Sequence, residues 1–535
     1  MSNRNKYKEM KMMKKILIAC IMVLSLYSCD KDNTEIDNNN SNGSELIVNG
    51  RLSDYINESN INTISKLTIN GSICGTDWNT LWEMGFSGNL TELDMTNATI
   101  ENDTENDFWN ANEIPEYAFN DCKKLNSIKL PKTVKTIGAE AFVGCSKLKH
   151  VALPESIDSI ADEAFRKVPL EGIMNFPSST RTIGKQAFAY SNIEEVIVNS
   201  DIESPFYEKC YTIGGNSVFA KCDNLKKVTV SEGCTKLEIG FDGCKSLIDV
   251  VLPSTLETLG RNSRNTHNYI FDNCSSLTKI VIPEKVWFIG YWAFRHSGLK
   301  SISLPDGVQY LWTYAFSDCK DLKEVKMPLQ LLQIEQGCFE GCENVSKIIL
   351  PDKVKKIGYR AFADCKNLCN ISWGKSIQSI EREAFVNCAL LPNVNLPVTL
   401  TELGNSSFEG CSSLIHVKSL GNIKELEPMT FKDCLSLKEV TLPNFLETIG
   451  SSCFFHCPQL TTLTLPQTIN VIDDYAFSYC GIKELTVKWQ NPIVINKKVF
   501  DGVNLSKSTL YIPLGTKGQY ENNIGWNYFG NIVEQ

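Results

Sequence analysis

The chain has 535 residues, 42% of them apolar and 21% charged, with a formal net charge of −9. That balance suits a water-exposed body and supplies no basic footprint, which argues against nucleic acid as a partner. Five histidines and nine tryptophans bound the imidazole chemistry and the stacking surface available.

The first thirty residues read as a processing signal. Lys11, Lys14 and Lys15 precede a short apolar run from Ile16 to Tyr27, too short for a comfortable membrane span but suited to the core of a signal peptide. The run ends in Leu26-Tyr27-Ser28-Cys29, which resembles the lipobox of bacterial lipoproteins, with Tyr27 standing where a small residue is usual. The resemblance implies cleavage before Cys29 and acylation of that cysteine, so residues 1–28 are expected to be a lipoprotein signal peptide. Residues 29–44, including Asp30-Lys31-Asp32 and Asn38-Asn39-Asn40, have almost nothing to bury and read as a flexible tether. Acidic residues just behind a lipidated cysteine also resemble an export cue. The implied location is the bacterial outer membrane, facing outward, with acylated Cys29 as the only membrane contact.

Further along, a phenylalanine recurs from Phe119 through Phe142, Phe165 and Phe188 to Phe500, and twelve of its sixteen intervals are 23 residues. Self-similarity at such a period marks a repeat architecture. One clean unit begins at Ala141 and has the skeleton A-F-x2-C-x2-L-x2-[IV]-x-L-P-x2-[IV]-x2-I-[GA]. Leu148, Val151 and Leu153 form a strand segment in which Val151 and Leu153 face inward while His150 and Ala152 face out. Ile157 and Ile160 supply the return path, and Gly138, Gly184, Gly260, Gly290, Gly358, Gly404 and Gly450 mark a tight corner. One such unit cannot enclose its own apolar set, so neighbours must stack and the ends must be capped.

The expected fold is therefore an α/β-type leucine-rich repeat solenoid with one parallel β-sheet on its concave face and about seventeen repeats. The pattern resembles the BspA-like class of bacterial leucine-rich repeats. The solenoid is placed at 114–503, an N-terminal capping region with degenerate repeats at 45–113, and a C-terminal cap at 504–535. The resemblance implies a surface-exposed binding protein.

Thirteen of the 21 cysteines sit three residues after the repeat phenylalanine. A solenoid stacks them into one column, where cysteine behaves as a small buried hydrophobe. In-register neighbours would hold their Cβ atoms ~4.8 Å apart, wider than a disulfide prefers. The C-x3-C pairs Cys338/Cys342, Cys365/Cys369 and Cys453/Cys457 are the sharpest metal candidates, but no second ligand set faces them, so no metal or other cofactor is assigned. No nucleophile elbow, phosphate loop or zinc-helix motif occurs, and His150 and His416 lie too many repeats apart to share a site. The sequence implies no enzyme.

Two insertions, at 199–211 and 260–269, break the register. Beside the second, positions that are polar in most repeats become Trp287-Phe288 and Tyr291-Trp292, and the next repeat adds Tyr310, Trp312 and Tyr314. Stacking should gather these seven rings into an exposed apolar patch, the candidate ligand-contact surface. The leading functional reading is a surface-anchored, monomeric recognition or adhesion protein for host or microbial macromolecules. The alternative is a glycan-capture accessory of a nutrient-uptake system, so the partner is a protein or a glycan. Mass spectrometry of membrane-extracted protein should find a mature chain that starts at acylated Cys29; a mature chain starting elsewhere would rule out the anchor.

Overall fold

The computed structural model describes residues 44–102, 110–203, 217–261 and 269–535. Cys29, the signal segment and most of the tether lie outside the described residues. So does the greater part of both insertions. Two compact units emerge, one holding the first part of the chain with Val218–Asn224 and the other running from Leu225 to Gln535. Both are built from the same turn, about twenty parallel turns in all with little helix. The fold is a leucine-rich repeat β-solenoid.

In the first unit, strands Glu45–Val48, Lys66–Ile69, Glu92–Asp94, Ser127–Lys129 and His150–Ala152 pair in parallel, in that order. Each carries an alternating pattern whose inward residue, such as Leu67, Leu93, Ile128 or Val151, is buried. The strands are short because only the L-x-L segment is extended. Each turn then makes a second, two-residue strand. Glu113–Ile114, Thr136–Ile137, Ser159–Ile160 and Thr182–Ile183 form a ladder of their own. The second unit repeats both features, with eight short strands from Lys236–Leu237 to Glu402–Leu403 in one parallel ladder. The turn thus has two sheets where the sequence pattern indicated one. Two residues per turn are too few for an alternation to show in the sequence.

At the third corner the phenylalanines stack. In the first unit Phe119, Phe142, Phe165, Phe188 and Phe219 follow one another with ring centroids 5.2, 4.7, 5.2 and 5.3 Å apart. In the second unit the stack runs from Phe241 to Phe500, with Phe316, Phe339 and Phe362 spaced 5.5 Å apart. Two residues on either side of the ring, the backbone turns left-handed, as at Glu140 (φ 52°) and Gly144 (φ 84°) about Phe142. That conformation costs an ordinary L-residue roughly 1–2 kcal/mol. It is held because alternate N–H groups point at the next turn: Glu140 donates to Asp162 O at 3.0 Å and Phe142 to Ala164 O at 2.8 Å.

Tryptophans close both stacks edge-on. A helix, Asp77–Phe86, carries Trp78 to within 6.2 Å of Phe119 at 81°. At the other end Phe500 meets Trp526 at 6.1 Å and Phe529 at 5.6 Å. Trp526 is fully buried, and its Nε1 donates to Ile493 O at 2.8 Å.

The recurrent glycines have a different cause from a simple tight corner. Of the seven, Gly260 alone has a positive φ, 94°. The others lie where the preceding turn's backbone presses closest. A Cβ on Gly404 would stand 2.5 Å from Arg382 N and 2.8 Å from Glu381 C. Along this column glycine alternates with acids: Glu335, Gly358, Glu381, Gly404, Glu427, Gly450. The acid's longer side chain bends over the neighbouring backbone, as where Glu381 accepts from Tyr359 N at 2.8 Å. Gly404→Ala is expected to cost about 1–3 kcal/mol in unfolding titrations. Gly518→Ala, whose Cβ would meet nothing within 4 Å, should leave stability unchanged or slightly raised.

Candidate functional site

The seven rings singled out by the sequence do come together. Trp287 meets Tyr310 edge-on at 6.1 Å, Tyr291 meets Trp312 at 4.7 Å, and Trp292 stacks on Tyr314 at 6.3 Å and 14°. Tyr269, which the sequence pattern did not single out, extends this stack, lying 5.0 Å from Trp292 at 9°. It occupies the same left-handed position as Trp292 and Tyr314, with φ values of 43°, 50° and 57°. In the next turn the position is Gly337, where a Cβ would stand 2.1 Å from Tyr314 Cε1. The glycine leaves room for the last ring of the column to lie flat.

The patch is less open than the substitution pattern suggested. Trp287, Tyr291, Trp292, Tyr310, Trp312 and Tyr314 are all half-buried. Phe288 is fully buried and leaves the candidate set. It sits in the second ladder between Thr258 and Tyr310, and Trp287 and Trp312 cover it at 5.7 Å each. Large rings in neighbouring turns bury one another, which a column-by-column comparison of polarity does not register. Trp312 Nε1 is buried with no hydrogen-bond partner, a donor whose desolvation is uncompensated.

A charged cluster supports the rings from below. Asp272 has no exposed surface, and Arg295 grips it with Nε–Oδ1 at 3.0 Å and Nη2–Oδ2 at 2.6 Å. The same guanidinium lies 5.2 Å from the centroid of Trp292. His296 stands 3.6 Å from Asp272 and 3.4 Å from Asp318. A bidentate pair of this kind offsets the desolvation of both partners and fixes the ring above it.

The family follows from the turn itself. A family model of the BspA type leucine-rich repeat region matches residues 112–213, 211–263, 264–391 and 378–507. The chain belongs to the BspA-type leucine-rich repeat family. Among solved structures, it is similar to a leucine-rich repeat protein from Bacteroides ovatus, with 22% identity and a TM-score of 0.48 over 63% of this chain and 92% of that one. A leucine-rich repeat protein from Eubacterium ventriosum is 21% identical, with a TM-score of 0.41 over 69% of this chain and 91% of its own. A leucine-rich cell surface protein from Faecalibacterium prausnitzii is 20% identical, with a TM-score of 0.34, covering 68% and 87%. No curated protein matches the chain. BspA-type repeats are typically non-catalytic.

The other candidate chemistry resolves into structure. A cleft of 1090 Å³ on the second ladder is lined by residues including Lys356, Tyr359, Glu381, Arg382, Glu425 and Glu427. Its cations are engaged, Lys356 with Glu381 at 2.5 Å and Arg382 with Glu383 at 2.8 Å. On the first ladder His416 faces Glu439 at 3.1 Å, an exposed pair worth little to stability.

Among the described residues no two cysteines are joined in a disulfide. Most of the column residues share one contact. The Cys145 thiol donates to Phe119 O at 3.1 Å, Cys342 to Phe316 O at 3.1 Å and Cys388 to Phe362 O at 3.2 Å. Each of these phenylalanine carbonyls also accepts from the backbone N–H of its own turn's cysteine, as at Cys365 N to Phe362 O, 3.3 Å. Both lone pairs are thereby used. Ser191 and Ser297 replace cysteine in the column, and their hydroxyls lie 3.2 and 3.3 Å from the next thiol. Of the C-x3-C residues, Cys338, Cys342, Cys365, Cys453 and Cys457 are buried, while Cys369 is exposed. Burial pushes the Cys145 and Cys411 thiols up to about 12, which suppresses the reactive thiolate. Thiol counts on the unfolded protein should be the same with and without reductant. In the native state Cys369 should alkylate readily and the column thiols only on unfolding; a count that rises on reduction would show disulfides instead.

Proposed function

We propose that this protein is a surface-anchored recognition module that binds a macromolecular ligand along its turns, with the aromatic cluster of the second unit as a principal contact. The observation that carries this reading is the concentration of six half-buried rings, Trp287, Tyr291, Trp292, Tyr310, Trp312 and Tyr314, in two adjacent turns, at positions that most other turns fill with polar residues or glycine. Tyrosine and tryptophan offer large rigid contact area at low conformational cost and dominate interface energetics. Arg295 adds a held cation beside them. An anchor at Cys29 and an outward-facing location, which the Leu26-Tyr27-Ser28-Cys29 motif implies, belong to the same reading.

Ring geometry favours a protein ligand at this cluster over a neutral sugar. Sugar recognition uses an open ring face. Here Tyr269, Trp292 and Tyr314 turn their faces toward one another, leaving edges for the partner. The glycan-capture reading is therefore the weaker one at this site.

A panel of immobilised extracellular-matrix proteins and a glycan array, probed with the purified protein, tests the proposal. At least one protein on the panel should bind, and Trp287→Ala/Trp292→Ala/Trp312→Ala should weaken that binding at least tenfold at a temperature well below its own melting point. The variant's melting temperature should also drop, because the rings pack on Phe288. Full binding by the variant would exclude the cluster as the contact surface.

A further inference from the structure

The left-handed position two residues after each phenylalanine is sterically selective. Glycine, asparagine, aspartate and histidine tolerate it best, and most turns comply, with Asp121, Gly144, Asn273, Asp318, Asp364 and Asn387 among them. Lys167, Tyr190, Lys221 and Tyr479 do not. Three of these four are consecutive in the first unit. Each is exposed. Two of these backbones are pinned across turns, Lys167 N to Ala189 O at 2.8 Å and Tyr190 N to Ala220 O at 2.9 Å, so those side chains project from fixed points.

Three cations surround the one ring. Arg166, Lys167 and Lys221 lie 5.9, 5.9 and 5.7 Å from the Tyr190 centroid. Arg166 is neutralised by Glu163 at 2.9 Å, while its Nε is buried without a partner. Lys167 and Lys221 make no ion pair among the described residues. Two unneutralised ammonium groups therefore stand two turns, about 10 Å, apart at their backbones, held by cation–π contact with the ring between them.

We infer that the Lys167–Tyr190–Lys221 corner is a binding site for an acidic polysaccharide, one carrying sulfate or carboxylate groups at intervals along its chain. Four features select that ligand. The charges are fixed in a row, which suits an anion repeated along a polymer. The faces of Tyr190 are engaged with cations, so the ring serves as a spacer and not as a platform for a neutral sugar. Among the described residues no other large apolar side chain of the corner is open: Val168 and Ala189 are fully buried, which leaves a folded protein partner without a hydrophobic anchor there. At physiological salt the screening length is about 8 Å, so the local pair outweighs the chain's distant negative charge. This site is separate from the aromatic cluster and does not depend on it.

The test uses the purified protein, a sulfated heparin oligosaccharide, a polygalacturonate oligosaccharide, a polyglutamate peptide and neutral dextran. At least one acidic glycan should bind, weakening steeply as salt is raised, while dextran does not. Whether heparin or polygalacturonate binds more tightly identifies the anion. Lys167→Asn/Lys221→Asn should weaken binding about tenfold. Because asparagine suits the left-handed position better than lysine does, the melting temperature should hold or rise, which separates lost binding from lost folding. The inference is overturned if neither acidic glycan binds, if dextran binds equally well, if the double variant binds as the parent does, or if polyglutamate binds more tightly than both glycans.

Discussion

The corner at the phenylalanine governs the molecule. Parallel strands lie about 4.8 Å apart, and the ring centroids stack at nearly that spacing, 4.7 to 5.8 Å. Each turn of about 23 residues must therefore bring the chain back displaced by one ring thickness. Left-handed residues on both sides of the ring make this possible, because they aim alternate N–H groups at the following turn. The thiol of the next turn then takes up the remaining lone pair of the phenylalanine carbonyl. Val168 and Val503 fill the same place without a donor, so the column admits a small side chain with or without that hydrogen bond.

Function in such a structure is written as departures from the repeat. Successive residues of one column stand in single file, each about one strand spacing from the next, and do not converge on a point. That arrangement serves a ligand which is itself extended, and it serves poorly a reaction that needs three groups around one atom. Two places break the pattern among the described residues. The second unit gathers aromatic rings from adjacent turns over a buried Asp272–Arg295 pair. The first places Lys167, Tyr190 and Lys221 where the backbone would prefer asparagine, aspartate or glycine.

Much of this was legible in the residues. The interval between phenylalanines, the L-x-L segment and the cysteine column each repeat many times, and repetition turns weak local signals into a firm register. The same reasoning located the aromatic cluster, because Trp287, Tyr291 and Trp292 stand at positions that are polar in most other turns and Tyr310, Trp312 and Tyr314 follow in the columns beside them. It erred at Phe288, whose exposure depends on Trp287 and Trp312 closing over it. It passed over Tyr269, which lies at the end of an insertion, and over Lys167 and Lys221, since a lysine at the surface looks ordinary until its backbone angle is known.

The sequence by itself determined the turn, its length, its inward residues and the chemistry of its columns, because these depend on spacing along one chain. Tertiary structure alone decided the second ladder, the close backbone approach that requires Gly358 and Gly404, and which rings remained at the surface. Those depend on distances between turns. There a displacement of one ångström separates a close backbone contact from a clash, or a covered ring from an open one, and no pattern along the chain carries that information.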